Sequence, residues 1–246
     1  MIWTEDPEIR NWLPKLQSHR GYCVDGAIPN TLASIKAAYA LGYEMAEFDV
    51  RLTADNSCIL FHDSDLNGMK INTSTLQTLR NHITISTLED VFEWFSSVKQ
   101  FKLNIEIKSR GIFNFTLEKE VARLIRNFNL EKRVLVSSFN PFTLSKIRTF
   151  CPTVYRAILL TLSEEHGNNF ITRSLVLNFL CRPHMLNLRY SDYTEKYRVL
   201  AQKVPVVLWT VNDLAFYRAV QTKVHGIISD EITTANLKAV HDAEIR

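Results

Sequence analysis

Cysteine is scarce in this 246-residue chain and is spread too widely along it to form a zinc site. The sequence contains no C-x-x-C pair and no cysteine–histidine cluster, and structural zinc sites or thiol redox pairs need one of these spacings. The spacing therefore argues against both kinds of site. We expect buried thiols at all four positions, Cys23, Cys58, Cys151 and Cys181.

Long apolar runs are missing from the sequence as well, and we expect no secretion signal. The most apolar later stretch, residues 174–181, is far shorter than the ~20 residues that span a bilayer. The first residues, MIWTEDPEIRNWL, carry acidic side chains early and lack a basic start followed by an apolar core. We therefore expect a soluble cytoplasmic protein without a transmembrane segment.

Strong charge and a dinucleotide-binding fingerprint are absent as well. The net charge is only +3 and the basic residues form no stripe, so nucleic acid is not an expected partner. No G-x-G-x-x-G opens a predicted helix, which argues against a doubly wound open sheet. The hydrophobic share of 46% and the charged share of 22% are typical of a globular domain.

Short apolar segments alternate with helical patterns along the whole chain. Such alternation is typical of βαβ units and a parallel sheet. Counting eight units in a chain of this length predicts one α/β domain, a TIM (β/α)8 barrel over residues 1–246, with an open sheet as the alternative. The first predicted strand ends at residues 18–21. The others occupy residues 45–50, 101–107, 134–137, 153–159, 185–188, 206–210 and 226–229, with a further short strand at 58–61.

Other segments carry weaker predictions. Residues 64–83 are polar and irregular, and we expect a loop over the barrel mouth. A helix is predicted over residues 169–179, and another over 32–41, capped by Asn30 or Thr31.

Candidate functional residues are concentrated in residues 44–63. Glu47 and Asp49 flank Phe48, and on a strand the two carboxylates face the same side. Two acids on one face belong either to a solvated strand edge or to a divalent-metal site, because magnesium and calcium prefer carboxylate oxygens. The same stretch ends in a histidine, His62.

Polar side chains also stand at or near the C-terminal ends of several different predicted strands. TIM-barrel enzymes place their catalytic groups at that end of the barrel. One histidine there is more often structural than catalytic, but two histidines together with three acids are hard to explain by packing. The residues at strand ends are His19, Glu47, Asp49, Glu106, Ser138, Asn187 and Trp209.

Eight short motifs resemble the glycerophosphodiester phosphodiesterase family in order and spacing. None is specific alone, but together they span His19 to Asp230, which is most of the chain. The motifs are SHRG at 18–21, NTLAS at 30–34, EFDV-x-LT-x-D at 47–55, HDSDL at 62–66, NIEIK at 104–108, SSFNP at 137–141, WTVND at 209–213 and HGIISD at 225–230.

The resemblance implies a metal-dependent phosphodiesterase on a TIM barrel. Such an enzyme splits glycerophosphodiesters, which are small molecules, into an alcohol and glycerol 3-phosphate. It would use one divalent ion, Mg²⁺ or Ca²⁺. Carried over position by position, Glu47, Asp49 and Glu106 would bind the metal, His19 and His62 would act as base and acid, Arg20 and Lys108 would hold the phosphate, and Trp209 would line the pocket wall.

Two positions depart from the family pattern. Pro29 stands where the family usually has a glutamate, and Gly68 stands where it usually has an arginine. These departures affect the expected substrate preference, whereas the metal ligands and histidines are intact. Two alternatives stay open: a phospholipase D-like or C-like phosphodiesterase that releases a cyclic phosphate, and an inactive barrel that binds phosphorylated ligands.

Several residues also have a structural interpretation. Trp209 could equally be barrel packing, and Asp63 could simply orient its neighbours. The histidines outside the motif set are predicted at the surface or in loops, and they are His82, His166, His184, His225 and His241.

Overall fold

The structure, a computed structural model, describes residues 2–23, 26–109, 114–163 and 175–244. Eight parallel strands form a closed barrel, because the first of them pairs with both the second and the last. The predicted TIM (β/α)8 barrel is thereby confirmed. In chain order the strands are β1 (Leu16–Ser18), β2 (Met45–Leu52), β3 (Cys58–Leu60), β4 (Asp65–Leu66), β5 (Met69–Lys70), β6 (Lys102–Ile107), β7 (Val134–Ser138), β8 (Tyr155–Leu160), β9 (Met185–Arg189), β10 (Val206–Trp209) and β11 (Gly226–Ser229).

The barrel consists of β1, β2 and β6 to β11, and each of the eight predicted barrel strands overlaps one of them. The further short strand predicted at 58–61 is β3, which pairs antiparallel with the end of β2. That pairing turns the chain back on itself. It returns Phe61 to Asp49, where the Phe61 amide donates a 3.1 Å hydrogen bond to the Asp49 carbonyl.

Helices connect the strands and cover the outside of the barrel. Two of them begin with a capping box, in which a threonine and the residue three positions later exchange hydrogen bonds, and the threonines are Thr31 and Thr87. Thr31, not Asn30, is therefore the cap of the second helix. The helices are Ile9–Trp12, Leu32–Ala40, Leu76–Arg80, Leu88–Ser97, Thr116–Asn127, Pro141–Phe150, Asn178–Cys181, Glu195–Lys203, Leu214–Val220 and Thr234–Glu244.

The helix predicted over 169–179 falls mostly on residues outside the described part of the chain. Within the described part, a 3-10 turn at Leu175–Leu177 leads into the short helix Asn178–Cys181. Among the described residues, none of the helices combines the length and the hydropathy required to cross a membrane.

An apolar layer fills the N-terminal end of the barrel interior. Ile9 and Leu13, at and just after the first helix, pack against inward side chains of the strands. Full burial of such a side chain contributes roughly 1.5–3 kcal/mol. The strand residues of this layer are Met45, Leu135, Ala157, Met185 and Val207, and Ile228 packs on top of them.

The prediction of an irregular loop over residues 64–83 is wrong. The segment contains the β4–β5 hairpin, a 3-10 turn and the helix Leu76–Arg80. Ile71 and Leu79 are almost completely buried and pack against Ile59, so the segment has a small core of its own. Gly68, with φ +85°, lies at the hairpin turn, a conformation that glycine adopts without a Cβ penalty.

Two histidines that we predicted at the surface or in loops, His184 and His225, lie in loops just before β9 and β11, but they are buried. His184 Nδ1 accepts a hydrogen bond from the Arg156 amide, and His225 Nε2 bonds to the Leu13 carbonyl. Burial lowers the pKa of His184 to about 3 and that of His225 to about 4, so both rings are neutral. His82 is exposed as predicted, whereas His166 and the His241 side chain lie outside the described residues.

The predicted burial of the thiols is confirmed at three of the four cysteines. Cys58, Cys151 and Cys181 are buried, but Cys23 is only partly buried, so the prediction is wrong there. Burial raises the pKa of all four thiols, which keeps them protonated at neutral pH.

Candidate functional site

Three buried carboxylates converge at the C-terminal end of the barrel. Glu47 and Asp49 lie on β2, and the register of the parallel pair places Asp49 opposite Glu106 on β6. Each side chain offers an oxygen atom, and the three oxygens lie within 4.8 Å of one another. Glu47 and Asp49, which were predicted to share one strand face, are thus joined by Glu106 from the neighbouring strand.

The pocket beside this cluster has a volume of about 150 Å³ and is built from two layers of inward side chains. In a TIM barrel each layer takes its side chains from alternate strands. The lower layer consists of Glu47, Ser137, Asn187 and Ile228, and the upper layer consists of His19, Glu106, Leu159 and Trp209.

Lys108 is the cation that compensates the carboxylates in this structure. Its Nζ lies 2.5 Å from Glu106 Oε1 and 3.1 Å from Asp49 Oδ1. Burial opposes the lysine's charge, but the two carboxylates outweigh burial and raise its pKa. Burial likewise raises the pKa of Asp49, yet Lys108 and His62 hold that pKa at about 2.

Glu47 is the carboxylate with too little positive charge around it. Burial, followed by the negative charge of Asp49, raises the pKa of Glu47 to about 8. Burial also raises the pKa of Glu106, although Lys108 opposes the shift. The positive charge nearby does not compensate all three carboxylates, so the site fits an additional cation. Because every donor atom is an oxygen, that cation would be a hard divalent ion.

Asn30 orients Asp49, a role that the sequence analysis missed. Its Nδ2 donates to Asp49 Oδ2 at 2.9 Å, and its Oδ1 accepts from the Asp49 amide at 2.9 Å. Asn30 was considered only as a helix cap, because nothing in the sequence pairs positions 30 and 49. The first loop is thus tied to the acid cluster although Pro29 replaces the family's glutamate.

Arg20 approaches the cluster from the same loop. Its amide donates to Glu47 Oε2 at 3.1 Å, and its Nε lies 3.5 Å from Asp49 Oδ2. The next residue, Gly21, has φ +78°, and a Cβ there would lie 2.4 Å from Ser34 Oγ. Only glycine allows this close approach, which explains the glycine in the SHRG motif.

His19 is held by an acid from the last strand. Its Nδ1 lies 2.7 Å from Asp230 Oδ1, and Asn212 Nδ2 donates to Asp230 Oδ2 at 3.1 Å. Nε2 therefore remains as the ring nitrogen for chemistry. Asp230 was not predicted from the sequence, although it follows a barrel strand and the rule used for the other strand ends would have found it.

His62 reaches the pocket because β3 folds back along β2. Arg51 fixes the His62 backbone, with Nη2 donating to its carbonyl at 2.6 Å, and Asp63 Oδ1 lies 2.7 Å from His62 Nδ1. Asp63 therefore orients its neighbour. Both predicted histidines line the same pocket.

The remaining sequence candidates divide into two groups. Trp209 lines the pocket and packs edge-on against Phe139, with ring centroids 5.6 Å apart. Arg20, Lys108 and Asn187 line it too. Ser138 is outside the pocket lining, and its Oγ donates to the Ile107 carbonyl at 2.9 Å.

A larger cavity of about 280 Å³ lies on the other side of Lys108. The two cavities share Lys108 in their linings, and the larger one is bordered by Arg51, by Thr116 and by Asn72 of the 64–83 segment. None of the three clustered carboxylates lines it. The chemistry is therefore concentrated in the smaller pocket.

Comparisons with known proteins agree with this geometry. The family model described as Glycerophosphoryl diester phosphodiesterase family matches residues 19–234. A glycerophosphodiester phosphodiesterase of Bacillus altitudinis is 32% identical over 166 residues, covering 60% of this chain and 66% of that protein. Another, from Caldanaerobacter subterraneus, is 32% identical over 140 residues, covering 50% of this chain and 57% of that protein. The chain thus matches somewhat less than two thirds of each relative.

A solved structure extends the similarity over the whole barrel. A glycerophosphodiester phosphodiesterase from Parabacteroides distasonis superposes with a TM-score of 0.73 at 25% identity, covering 94% of this chain and 98% of that chain. Since the family model spans most of the sequence, this chain belongs to the glycerophosphoryl diester phosphodiesterase family.

Proposed function

We propose that the protein hydrolyses glycerophosphodiesters to an alcohol and glycerol 3-phosphate in a metal-dependent reaction. The observation that carries this proposal is the convergence of three buried carboxylates and two oriented histidines on one pocket, in a chain of this family. The pocket is smaller than the ~300–1,000 Å³ typical of drug-sized ligand sites. It suits the glycerol phosphate part of a substrate, with the alcohol directed outward.

Glu47, Asp49 and Glu106 would hold one divalent ion, Mg²⁺ or Ca²⁺, because their oxygens lie close enough together to share it. Bound there, the ion supplies positive charge that stabilises the phosphate oxygens in the transition state. Lys108 pairs with two of these carboxylates in the structure. Once another cation compensates them, Lys108 and Arg20 are free to bind the phosphate.

The two histidines carry the proton transfers. His19 takes the proton from the substrate's own glycerol hydroxyl next to the phosphate-bearing carbon, and the oxygen attacks phosphorus. His62 gives its proton to the departing alcohol oxygen, and the phosphate becomes cyclic. Water then opens the ring to glycerol 3-phosphate, with the two histidines in exchanged roles.

The charges in the free site oppose these roles until ligands bind. Burial lowers the pKa of His19, but the hydrogen bond with Asp230 and the charge of Glu47 outweigh burial and raise that pKa. Burial lowers the pKa of His62. A cation on Glu47 would lower the pKa of His19, so that its ring is unprotonated and can act as a base. A bound phosphodiester anion would raise the pKa of His62, so that its ring is protonated and can act as an acid.

Product analysis by phosphorus NMR tests the proposal. With a glycerophosphodiester and added Mg²⁺ or Ca²⁺, we expect glycerol 3-phosphate to accumulate as the final product. A cyclic glycerol phosphate that persists would favour a phospholipase-like enzyme that releases the ring. No change in the substrate signal under either ion would favour an inactive phosphate-binding barrel.

A further inference from the structure

Asn187, on β9, is a buried amide with no hydrogen-bond partner among the residues that the structure describes. Its exposed fraction is 0%, and both Nδ2 and Oδ1 lack a partner. A buried amide in this condition costs free energy, so such groups nearly always have a partner when the protein functions. Asn187 also lines the pocket beside the acid cluster, so a hydrogen-bond partner for it would lie in that pocket.

Asn104, the other asparagine of the pocket lining, provides a contrast. Its Nδ2 donates to Gln17 Oε1 at 2.9 Å, and its Oδ1 accepts from Ser137 Oγ at 2.8 Å. Asn104 therefore has a structural role. The two buried amides differ in that Asn104 has hydrogen-bond partners and Asn187 has none among the described residues.

The position of Asn187 in the barrel indicates which part of a ligand it meets. In the closed strand order β1, β2, β6, β7, β8, β9, β10 and β11, strand β9 lies four strands from β2 in both directions. Asn187 is therefore across the pocket from Glu47, in the same layer. The side chains near it in the lining are Leu159 and Ile228, together with Trp209, whose Nε1 also has no partner in the described part of the chain.

One wall of the pocket is thus charged, and the opposite wall is apolar with a neutral amide. The charged wall fits a phosphate. The opposite wall fits carbon atoms that carry an uncharged group able both to donate and to accept a hydrogen bond. A hydroxyl group meets that description, because it can accept from Nδ2 and donate to Oδ1.

Resting on the proposed function, we infer that Asn187 binds the terminal hydroxyl of the substrate's glycerol and thereby selects glycerol-based phosphodiesters. The hydroxyl nearer the phosphate stays with His19 for the reaction. A substrate without the terminal hydroxyl leaves the Asn187 amide unpaired on binding. Sites that hydrogen-bond a substrate hydroxyl discriminate strongly against analogues lacking it for this reason.

The test compares the proposed product and one analogue of it by calorimetry, on the full chain with Mg²⁺ or Ca²⁺ present. One is glycerol 3-phosphate, and the other is propane-1,2-diol 1-phosphate of the same configuration, which lacks only the terminal hydroxyl. We expect the wild-type protein to bind glycerol 3-phosphate about ten- to a hundredfold more tightly, the range for one buried hydrogen bond. Equal affinities would overturn the inference without any variant.

The variant Asn187→Leu keeps the branched shape of the side chain, with a larger volume, but has no hydrogen-bonding group. We expect it to bind both phosphates within about threefold of each other, because it has no amide to leave unpaired. Ser138→Ala is the control, since Ser138 is a buried strand-end residue outside the pocket lining, where it donates to the Ile107 carbonyl. The control should keep the wild-type ratio of affinities. A variant Asn187→Leu that folds and keeps the full preference would show that Asn187 does not read the hydroxyl.

Turnover measured on the corresponding diesters separates this inference from the proposed function. Hydrolysis without a preference for the glycerol diester would contradict the role of Asn187 and leave the proposed function standing. Binding with an Asn187-dependent preference, but without hydrolysis, would contradict the proposed function and leave the role of Asn187 standing.

Discussion

Replacing Glu106 by glutamine is expected to lower the rate of glycerophosphodiester hydrolysis at least ~10³-fold, the effect of losing several kcal/mol of metal-ion stabilisation. Glu106→Gln removes one charge but almost no volume, and it leaves Asp49 and Lys108 in place. Its affinity for Mg²⁺ or Ca²⁺, measured by calorimetry, should fall together with the rate. The circular dichroism spectrum should remain that of the wild type.

Glu118→Gln is the matched control for this substitution. Glu118 is a completely buried glutamate on the helix Thr116–Asn127, outside the pocket lining, where it accepts a hydrogen bond from Thr143. We expect Glu118→Gln to retain metal-dependent activity within about threefold of the wild type, as for substitutions outside a catalytic site. Near-normal rates in Glu106→Gln itself would show that Glu106 does not bind the metal.

The histidine substitutions are expected to have the second-largest effect. His19→Ala and His62→Ala should each reduce kcat ~10²–10⁴-fold, because each removes a group that transfers a proton in the transition state. His82→Ala, at an exposed position, is the control and should leave the rate unchanged. Equal rates in all three variants would eliminate acid/base catalysis by this pair.

The pH dependence separates the two roles. The wild-type rate should rise as His19 loses its proton and fall as His62 loses its own, giving a bell-shaped profile. A bound cation cancels the charge of Glu47, which is one cause of the raised pKa of His19, so the variants and not the positions of the limbs assign the two roles. His19→Ala should lack the rising limb, and His62→Ala should lack the falling one.

A substrate with a nitrophenol leaving group provides an independent check of these roles. Nitrophenolate departs without a proton, so this substrate should restore the rate of His62→Ala but not that of His19→Ala. Rescue of His19→Ala instead would mean that the two roles are reversed.

The barrel could be predicted from the sequence because its strands and helices are each signalled locally. Alternating apolar segments and helical patterns repeat eight times, and every barrel strand predicted in this way occurs. The segment at 64–83 was predicted wrongly because its core depends on Ile59 and Ile85, which lie outside it. Burial of a short segment against residues outside it leaves no periodic signal within the segment.

The difference between local patterns and contacts made only in the folded chain also explains which residues of the candidate site could be predicted. Glu47 and Asp49 share a strand face, and Glu106 stands at the end of the next barrel strand, so local patterns were enough. Asp230, in contrast, contacts the ring of His19, which is 211 positions away in the sequence. Asn187 is distinguished from Asn104 only by its lack of partners, which is a property of the packed barrel and not of the sequence.

The claim that the three carboxylates form a metal-dependent catalytic centre is tested most directly by removing and restoring the ion. The protein is treated with a chelator and dialysed, and glycerol 3-phosphate release from a glycerophosphodiester is then followed before and after Mg²⁺ or Ca²⁺ is added. We predict negligible release from the metal-free protein and recovery of the full rate with about one bound ion per chain. Undiminished release after complete removal of divalent ions would contradict the account.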